Sequence, residues 1–268
     1  MKKLILSLVT MASLAFAANA VTNMCVKTTD GKIITVDVEK VVEVYYEEAS
    51  STADNQGVTV TGRVGDYNYV DLGLPSGTMW ATYNVGATKP AEYGDYFAWG
   101  ETKPKEYYSD STYKWCKDTG EKDGWGYRIY KYTKYCADSE YGTVDNKTVL
   151  EAEDDAATAN WGSAWRMPTA EEIDELIDAC NWKWMDNYYA TGIAGRLGTS
   201  VYNGATIFLP AAGYRYTDLY AAGGGDYWSS SLYEYGSYRA SHLKFGEYFI
   251  DSDDDHRDDG RSVRAVLR

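Results

Sequence analysis

The chain is poor in the residues that most often carry metal and acid–base chemistry. It has two histidines, His242 and His256, and four cysteines, Cys25, Cys116, Cys136 and Cys180. No Cys-x-x-Cys or Cys-His spacing occurs, so a zinc-type ligand set is not encoded. Neither histidine lies near a Gly-x-Ser-x-Gly elbow, which removes the motif for Ser-His-Asp chemistry. Among 40 acidic residues no pair is singled out as a glycosidase acid and base. After the first twenty residues no window approaches ~20 uncharged apolar residues, so no membrane-spanning helix is expected. A basic surplus is missing as well: 26 Lys and Arg stand against 40 Asp and Glu, a net charge of −14. A surface of that sign repels phosphate backbones, which excludes nucleic acid as a partner.

Phenylalanine is scarce, with 5 residues, whereas Tyr numbers 26 and Trp 9 in a chain of 268. Tyr usage is roughly three times the ordinary level. Aromatic mass with a polar handle suits half-wet surfaces.

The N-terminus reads as an export signal. Lys2 and Lys3 precede the apolar run Leu4 to Phe16, and Ala18-Asn19-Ala20 supplies small residues for cleavage, so removal of residues 1–20 is expected. Loss of two lysines makes the mature chain more acidic still. Cys25 follows Val21-Thr22-Asn23-Met24 rather than small residues, which disfavours a lipid anchor. Export makes disulfides sustainable. Cys116 and Cys136 flank a loop rich in Gly, Lys and Tyr, where a bridge would contribute about 3 kcal/mol by loop closure; two buried thiols are the equal alternative.

Residues 25–46 alternate in strand fashion around Asp30-Gly31, a type I′ turn dipeptide, so 21–46 reads as a β-hairpin module. Residues 47–60 lack periodicity and read as a linker. In the domain expected over 61–268, Thr169-Ala170-Glu171-Glu172 forms a capping box, with Ile173, Leu176, Ile177 and Cys180 at helical spacing behind it. A shorter helix is expected over Ala152 to Asn160. Strands are expected at Thr206 to Leu209, Asp226 to Ser229, Leu243 to Phe245 and Ser262 to Val266. Few helices and many short strands give an α+β class. Trp80, Trp99, Trp161 and Trp165 are expected in or near the core.

Six phrases go further: Tyr69 to Ala87, Tyr93 to Glu101, Trp165 to Glu172 (WRMPTAEE), Ile207 to Arg215 (IFLPAAGYR), Tyr227 to Ser231 (YWSSS) and Gly260 to Val266 (GRSVRAV). In this order the chain resembles the Fibrobacter succinogenes major paralogous domain. Lys27 to Val38 also resembles a short module preceding that domain in exported proteins of gut Bacteroidetes. The resemblance implies a C-type-lectin-like fold, akin to the formylglycine-generating enzyme fold, in surface or secreted proteins. Enzyme roles do not carry over, because that fold works through cysteines or a histidine set, and no Cys lies in the C-terminal segment.

From Tyr214 to Arg268, 55 residues contain 8 Tyr, 8 Asp, 7 Ser, 6 Gly, both histidines and no Asn, against 10 Asn upstream. The chain is similar here to variable proteins of diversity-generating retroelements, in which adenine-directed rewriting turns Asn codons into Tyr, Asp, Ser, His, Gly or Arg. The alternative is an undiversified family taste for Tyr and small polar residues. Tyr supplies contact area at little rotamer cost, while Ser, Gly and Asp adapt hydrogen bonding. The expected ligand-binding residues are Tyr216, Asp218, Tyr233, Tyr235, Tyr238, Arg239, His242, Tyr248, Asp253, Asp255 and His256, with Tyr227 to Ser231 and Gly260 to Val266 as framework. Asp251 to Asp255 has calcium-loop spacing, but His256 replaces the required Gly and Ser262 the terminal Glu, which excludes an EF-hand. Looser calcium coordination stays open beside a plain solvated acidic loop. No cofactor is otherwise implied. The expectation is an exported, non-enzymatic binder of a protein or glycan on another cell, phage or host surface, located in the periplasm, at the cell surface or secreted. The alternatives are a structural or glycan-binding surface protein of the same family and, least favoured, an enzyme of the formylglycine-generating type.

Overall fold

The computed structural model describes residues 23–27, 33–37, 57–220 and 223–267. The expected leader, the Asp30-Gly31 turn and linker residues 47–56 lie outside them. Asn23–Lys27 (β1) and Ile33–Asp37 (β2) pair antiparallel with Cys25 opposite Thr35, as their alternation predicts. They belong to a unit, Met1–Ser50, distinct from Ser51–Arg268. Residues 58–60, assigned to the linker, are instead tied into the second unit. Val58 is buried, and Thr59 donates its N–H to the Thr206 carbonyl at 3.0 Å.

In that second unit the chain runs through Gly62–Val64 (β3), Tyr67–Asp71 (β4), Met79–Ala81 (β5), Cys116–Lys122 (β6), Arg128–Tyr132 (β7), Ala156–Trp161 (α1), Trp165–Arg166 (β8) and Ala170–Asp178 (α2). It continues through Cys180–Met185 (β9), Gly195–Ser200 (β10), Thr206–Pro210 (β11), Tyr214–Arg215 (β12), Leu219–Tyr220 (β13), Gly225–Leu232 (β14), Arg239–Phe245 (β15), Ile250–His256 (β16), Gly260–Arg261 (β17) and Val266–Leu267 (β18). The class is therefore α+β and strand-rich, with every strand ladder antiparallel and two α-helices among the described residues.

Helix α2 forms where the sequence places it. Thr169 Oγ1 accepts the Glu172 N–H at 3.3 Å and Glu172 accepts the Thr169 N–H at 2.9 Å, completing the capping box. Its apolar stripe buries Ile173 and Leu176. Helix α1 starts later than expected, because Asp155 is extended and caps Thr158 N–H at 2.8 Å, while Lys134 holds the preceding Glu151, Glu153 and Asp154. Gly94 is required by space as well as by φ (+72°), since a Cβ there would lie 2.4 Å from the Val85 carbonyl oxygen.

Strands β14 and β15 of the sheet β14–β15–β16 are covered on both faces. One face packs Tyr227, Leu243 and Phe245 with Ile173 and Leu176 of α2; the other packs Trp228 and Ala240 with Phe97, Trp99, Trp165 and Val263. Trp80, Trp99 and Trp165 are buried as expected, and Trp161 packs against the second cluster, stacked on Tyr67 at 4.0 Å. The chain's end threads the centre. β18 inserts between β5 and β8, with Val266 facing both Trp80 and Arg166. Of the strand expected over Ser262 to Val266, only Val266 lies in one, β18, and β17 ends before it. Between them, Ser262, Val263 and Ala265 bond to Asp226, Val85 and Ala81 in turn, so no single partner strand is followed.

Buried arginines hold these loops. Arg257 is fully buried and donates to the carbonyls of Tyr135 (2.9 Å), Ser237 (2.7 Å) and Lys134 (3.1 Å) and to the Tyr113 hydroxyl (3.1 Å). Its guanidinium lies 4.5 Å from the centre of the Tyr132 ring and 4.8 Å from that of Trp99. Arg264 likewise donates to Asn84 and to the carbonyls of Ala81 and Phe208. Cys116, Cys136 and Cys180 are free thiols: Cys136 donates to the Asp138 carbonyl, and no bridge to Cys116 forms. Arg257→Lys keeps the charge but strands several carbonyls, and should cost about 3 kcal/mol. Thr169→Ala, which removes only the helix cap, should cost about 1 kcal/mol. Urea titration of the two variants checks both the values and their order.

Candidate functional site

The C-terminal segment separates into buried and outward-facing stretches. From Tyr227 to Ser230 and from Gly260 to Val266 every residue is buried. The chain between and before them supplies the exposed groups. In the β12–β13 hairpin, Tyr216 donates its N–H to the Asp218 carbonyl at 3.1 Å and both residues are exposed, while Tyr214 and Tyr220 stack at 5.5 Å. β17 pairs with β12, Tyr214 opposite Arg261, which sets this hairpin beside the continuation of β16.

The β14–β15 connection meets β16 at the same end. Arg239 stands opposite His256 in the ladder, and the Tyr238 ring lies 5.6 Å from the His256 ring. Tyr233 closes the connection by donating its N–H to the Arg239 carbonyl at 3.1 Å, and packs edge-on to Tyr235 at 5.5 Å. Tyr235 is 78% exposed. The structure thus gathers Tyr233, Tyr235, Tyr238, Arg239 and His256 at one end of the sheet. Asp255 is next in the strand, and Tyr216 and Asp218 lie across β17.

Three expected residues do not join this group. His242 is 1% exposed, with its ring 5.6 Å from Trp228 and Nε2 3.2 Å from Asp226 Oδ1. Alternation with Leu243 and Phe245 points it away from α2, but the second core cluster covers that face too. Burial holds its pKa below the ordinary value, so the imidazole is neutral and closed to any ligand. Tyr248 is 88% exposed but sits in the β15–β16 turn. The seven residues of β16, at ~3.4 Å each, put it about 20 Å from His256. Asp253 is exposed midway along the edge and paired with Lys244 at 3.1 Å.

Asp251 to Asp255 is a strand rather than the expected acidic loop, so its alternate carboxylates line a strand edge instead of wrapping an ion. Three carboxylates of the run have cationic partners already: Asp253 has Lys244, Asp254 has Arg239 at 2.5 Å, and Asp255 has Arg261 at 2.6 Å. Burial opposes the charge on Asp255, but Arg261 prevails and holds its pKa low. Among the described residues one close trio of acids, Glu151, Glu153 and Asp154, could hold a cation, and the Lys134 ammonium occupies it at 2.5, 3.5 and 2.6 Å.

Sequence reasoning missed Asp258, Tyr214, Tyr220 and Arg261 at this end of the sheet. Arg261 joins Asp255 and Asp259 while stacking 4.5 Å from Trp228 and 5.2 Å from Tyr214. Asp258 is 4% exposed, and one carboxyl oxygen has no partner. Burial, then repulsion from Asp110 and Asp259, pushes its pKa up to about 7. The nearby Tyr216 hydroxyl is also raised, by burial and the same three acids, so it stays protonated and able to donate. The face therefore offers aromatic area, phenol donors and carboxylates. A cleft of about 330 Å³ lined by Lys89, Ala91, Glu92, Tyr93, Thr191 and Ile193 draws nothing from the C-terminal segment. Comparison of the chain with protein-family models, curated proteins and solved structures finds no match.

Because the folded pKa of Asp258 exceeds the unfolded value of 3.8, the native state binds the extra proton between that pH and about 7. Stability is lost as pH rises through this window. Asp258→Asn removes the buried charge, so its Tm should exceed that of the parent at pH 8, with the gap shrinking towards pH 4. Thermal scans across that range check it, and a pH-independent gap would contradict the assignment.

Proposed function

We propose that this protein is an exported ligand-binding protein whose second unit, a C-type-lectin-like domain of the Fibrobacter succinogenes major paralogous type, binds through the outward-facing part of its C-terminal segment. The observation that carries the reading is the division within that segment. The framework is buried over Tyr227 to Ser230 and Gly260 to Val266, while Tyr216 and Asp218 of the β12–β13 turn, Tyr233 and Tyr235 of the β14–β15 connection and His256 at the end of β16 lie around one end of β14–β15–β16. Exposed tyrosines bring contact area with two side-chain torsions each, and neighbouring carboxylates and serines supply adaptable hydrogen bonds. In such a surface the framework fixes the backbone, and the exposed positions accept substitution at little cost to folding. That is what retroelement diversification requires, and we extend the proposal to it.

The same features favour binding over catalysis. The one close histidine–carboxylate pair of the segment, His242 with Asp226, is shut from solvent, and the raised phenol pKa values leave Tyr216, Tyr233 and Tyr235 as neutral donors. Among the described residues no helix is long and apolar enough to cross a membrane. The ligand is a protein or glycan of another cell, a phage or a host surface.

The test is binding of the purified protein to glycan and protein arrays, followed by Tyr233→Ala/Tyr235→Ala. Both positions are on the surface, so Tm should hold while affinity falls about tenfold or more, the cost of losing paired aromatic anchors. Undiminished binding by the variant, or no binding on either array, would overturn the proposal. The diversification claim is checked at the locus: an adjacent reverse transcriptase and a template repeat differing only at adenines are expected.

A further inference from the structure

The β6–β7 hairpin is unlike any other part of the described chain. Every residue from Lys117 to Arg128 is exposed, so neither face of its outer half is covered. Its base is fixed: Cys116 pairs with Tyr132, Tyr132 is buried, and the Trp115 indole donates to the Gly100 carbonyl at 2.9 Å. A two-stranded ribbon is marginal by itself, and the turn of this one is braced. Asp123 Oδ1 accepts the N–H groups of Trp125 and Tyr127, both at 2.9 Å, and the Asp123 N–H donates to the Tyr127 carbonyl at 2.8 Å. Gly126, at φ +90°, lets the chain make this turn. The outcome is a preformed tip holding Trp125 88% and Tyr127 74% exposed.

We propose that this tip docks the protein onto a lipid bilayer carrying anionic headgroups, with Trp125 and Tyr127 seated in the interfacial layer. The residue types are those enriched at that depth, where an apolar ring and a polar edge are both satisfied. The shape favours the same occupant. A convex tip has no groove of its own to receive a side chain, and fluid headgroups can close around such a protrusion. Charge agrees. Within the hairpin four basic residues, Lys117, Lys122, Arg128 and Lys131, stand against Asp118, Glu121 and Asp123 in a chain of net charge −14, while Lys114 before its base is already paired with Asp154 at 3.0 Å. Asp118 and Arg128 cancel one another at 2.5 Å, leaving Lys117, Lys122 and Lys131 against Glu121 and Asp123. The reach matters as well: the strand from Cys116 to Lys122 spans about 20 Å, beyond a Debye length of about 8 Å in physiological salt. The acidic body is thus screened from the surface the hairpin touches. One Trp and one Tyr give a weak, reversible contact, which several copies on one surface would strengthen.

Flotation with the full-length protein tests the proposal, using vesicles of phosphatidylcholine alone and of phosphatidylcholine mixed with phosphatidylglycerol. The protein should float with the mixed vesicles, less so at high salt. Trp125→Ala/Tyr127→Ala should lower the partition coefficient roughly tenfold with an unchanged Tm, because both side chains leave only solvent contacts behind. Lys117→Glu/Lys122→Glu should abolish the preference for phosphatidylglycerol. The proposal is overturned if the parent stays with neither vesicle, if the aromatic variant floats equally well, or if that variant loses signal only on a glycan array. The last outcome would make the tip a sugar subsite.

Discussion

Loops that pass through an apolar interior carry carbonyl groups that must find donors, and in this molecule buried guanidinium groups supply them. Arg257 collects three carbonyls from two separate connections, Arg264 ties Ala81 to Phe208, and Arg196 holds Gly246, Glu247 and Phe249 in the turn between β15 and β16. Arg257 and Arg264 bond no carboxylate; aromatic rings and peptide dipoles stand in for one. For Arg264 this is costly enough that burial draws its pKa down to about 10. Five planar donors in one side chain can satisfy several irregular segments at once, which no lysine can do. The long connections of the second unit depend on that property.

The same device organises the proposed binding face. Arg257 follows directly on His256, and its grip on the Ser237 carbonyl fixes the connection that presents Tyr233 and Tyr235. Arg261 then holds Asp255 and Asp259 beneath the Tyr214–Tyr220 stack. The outward residues are therefore mounted on side chains that cannot move without exposing charge to the core. Display and rigidity come from different parts of the C-terminal segment, outward groups for contact and inward arginines for support. The β6–β7 hairpin uses a cheaper device, a carboxylate accepting two amide protons, because its turn has only water to compete with.

Much of the fold could be read locally. The capping box of α2, the buried tryptophans and the strands at β11, β14 and β15 follow from neighbouring residues, because caps and alternation are short-range. The failures share a cause. His242 is expected outside because it falls in the Tyr-, Asp- and Ser-rich segment, yet the face of the sheet opposite Leu243 and Phe245 is also packed. Asp251 to Asp255 reads as a solvated loop by composition, but pairing with β15 makes it an edge strand whose charge also discourages further pairing. Arg257, Arg261 and Arg264 of the C-terminal stretch are all buried, which their charge alone does not announce.

By itself the sequence determined the strand-rich α+β class, the helix at Ala170–Asp178 and the concentration of Tyr, Asp and Ser near its end, since each rests on composition or on contacts a few residues apart. Only the tertiary structure decided which of those side chains face outward, which arginines hold the loops and where the Trp125 hairpin projects. Burial depends on what distant segments pack against a residue, and that information is not carried by its neighbours in the chain.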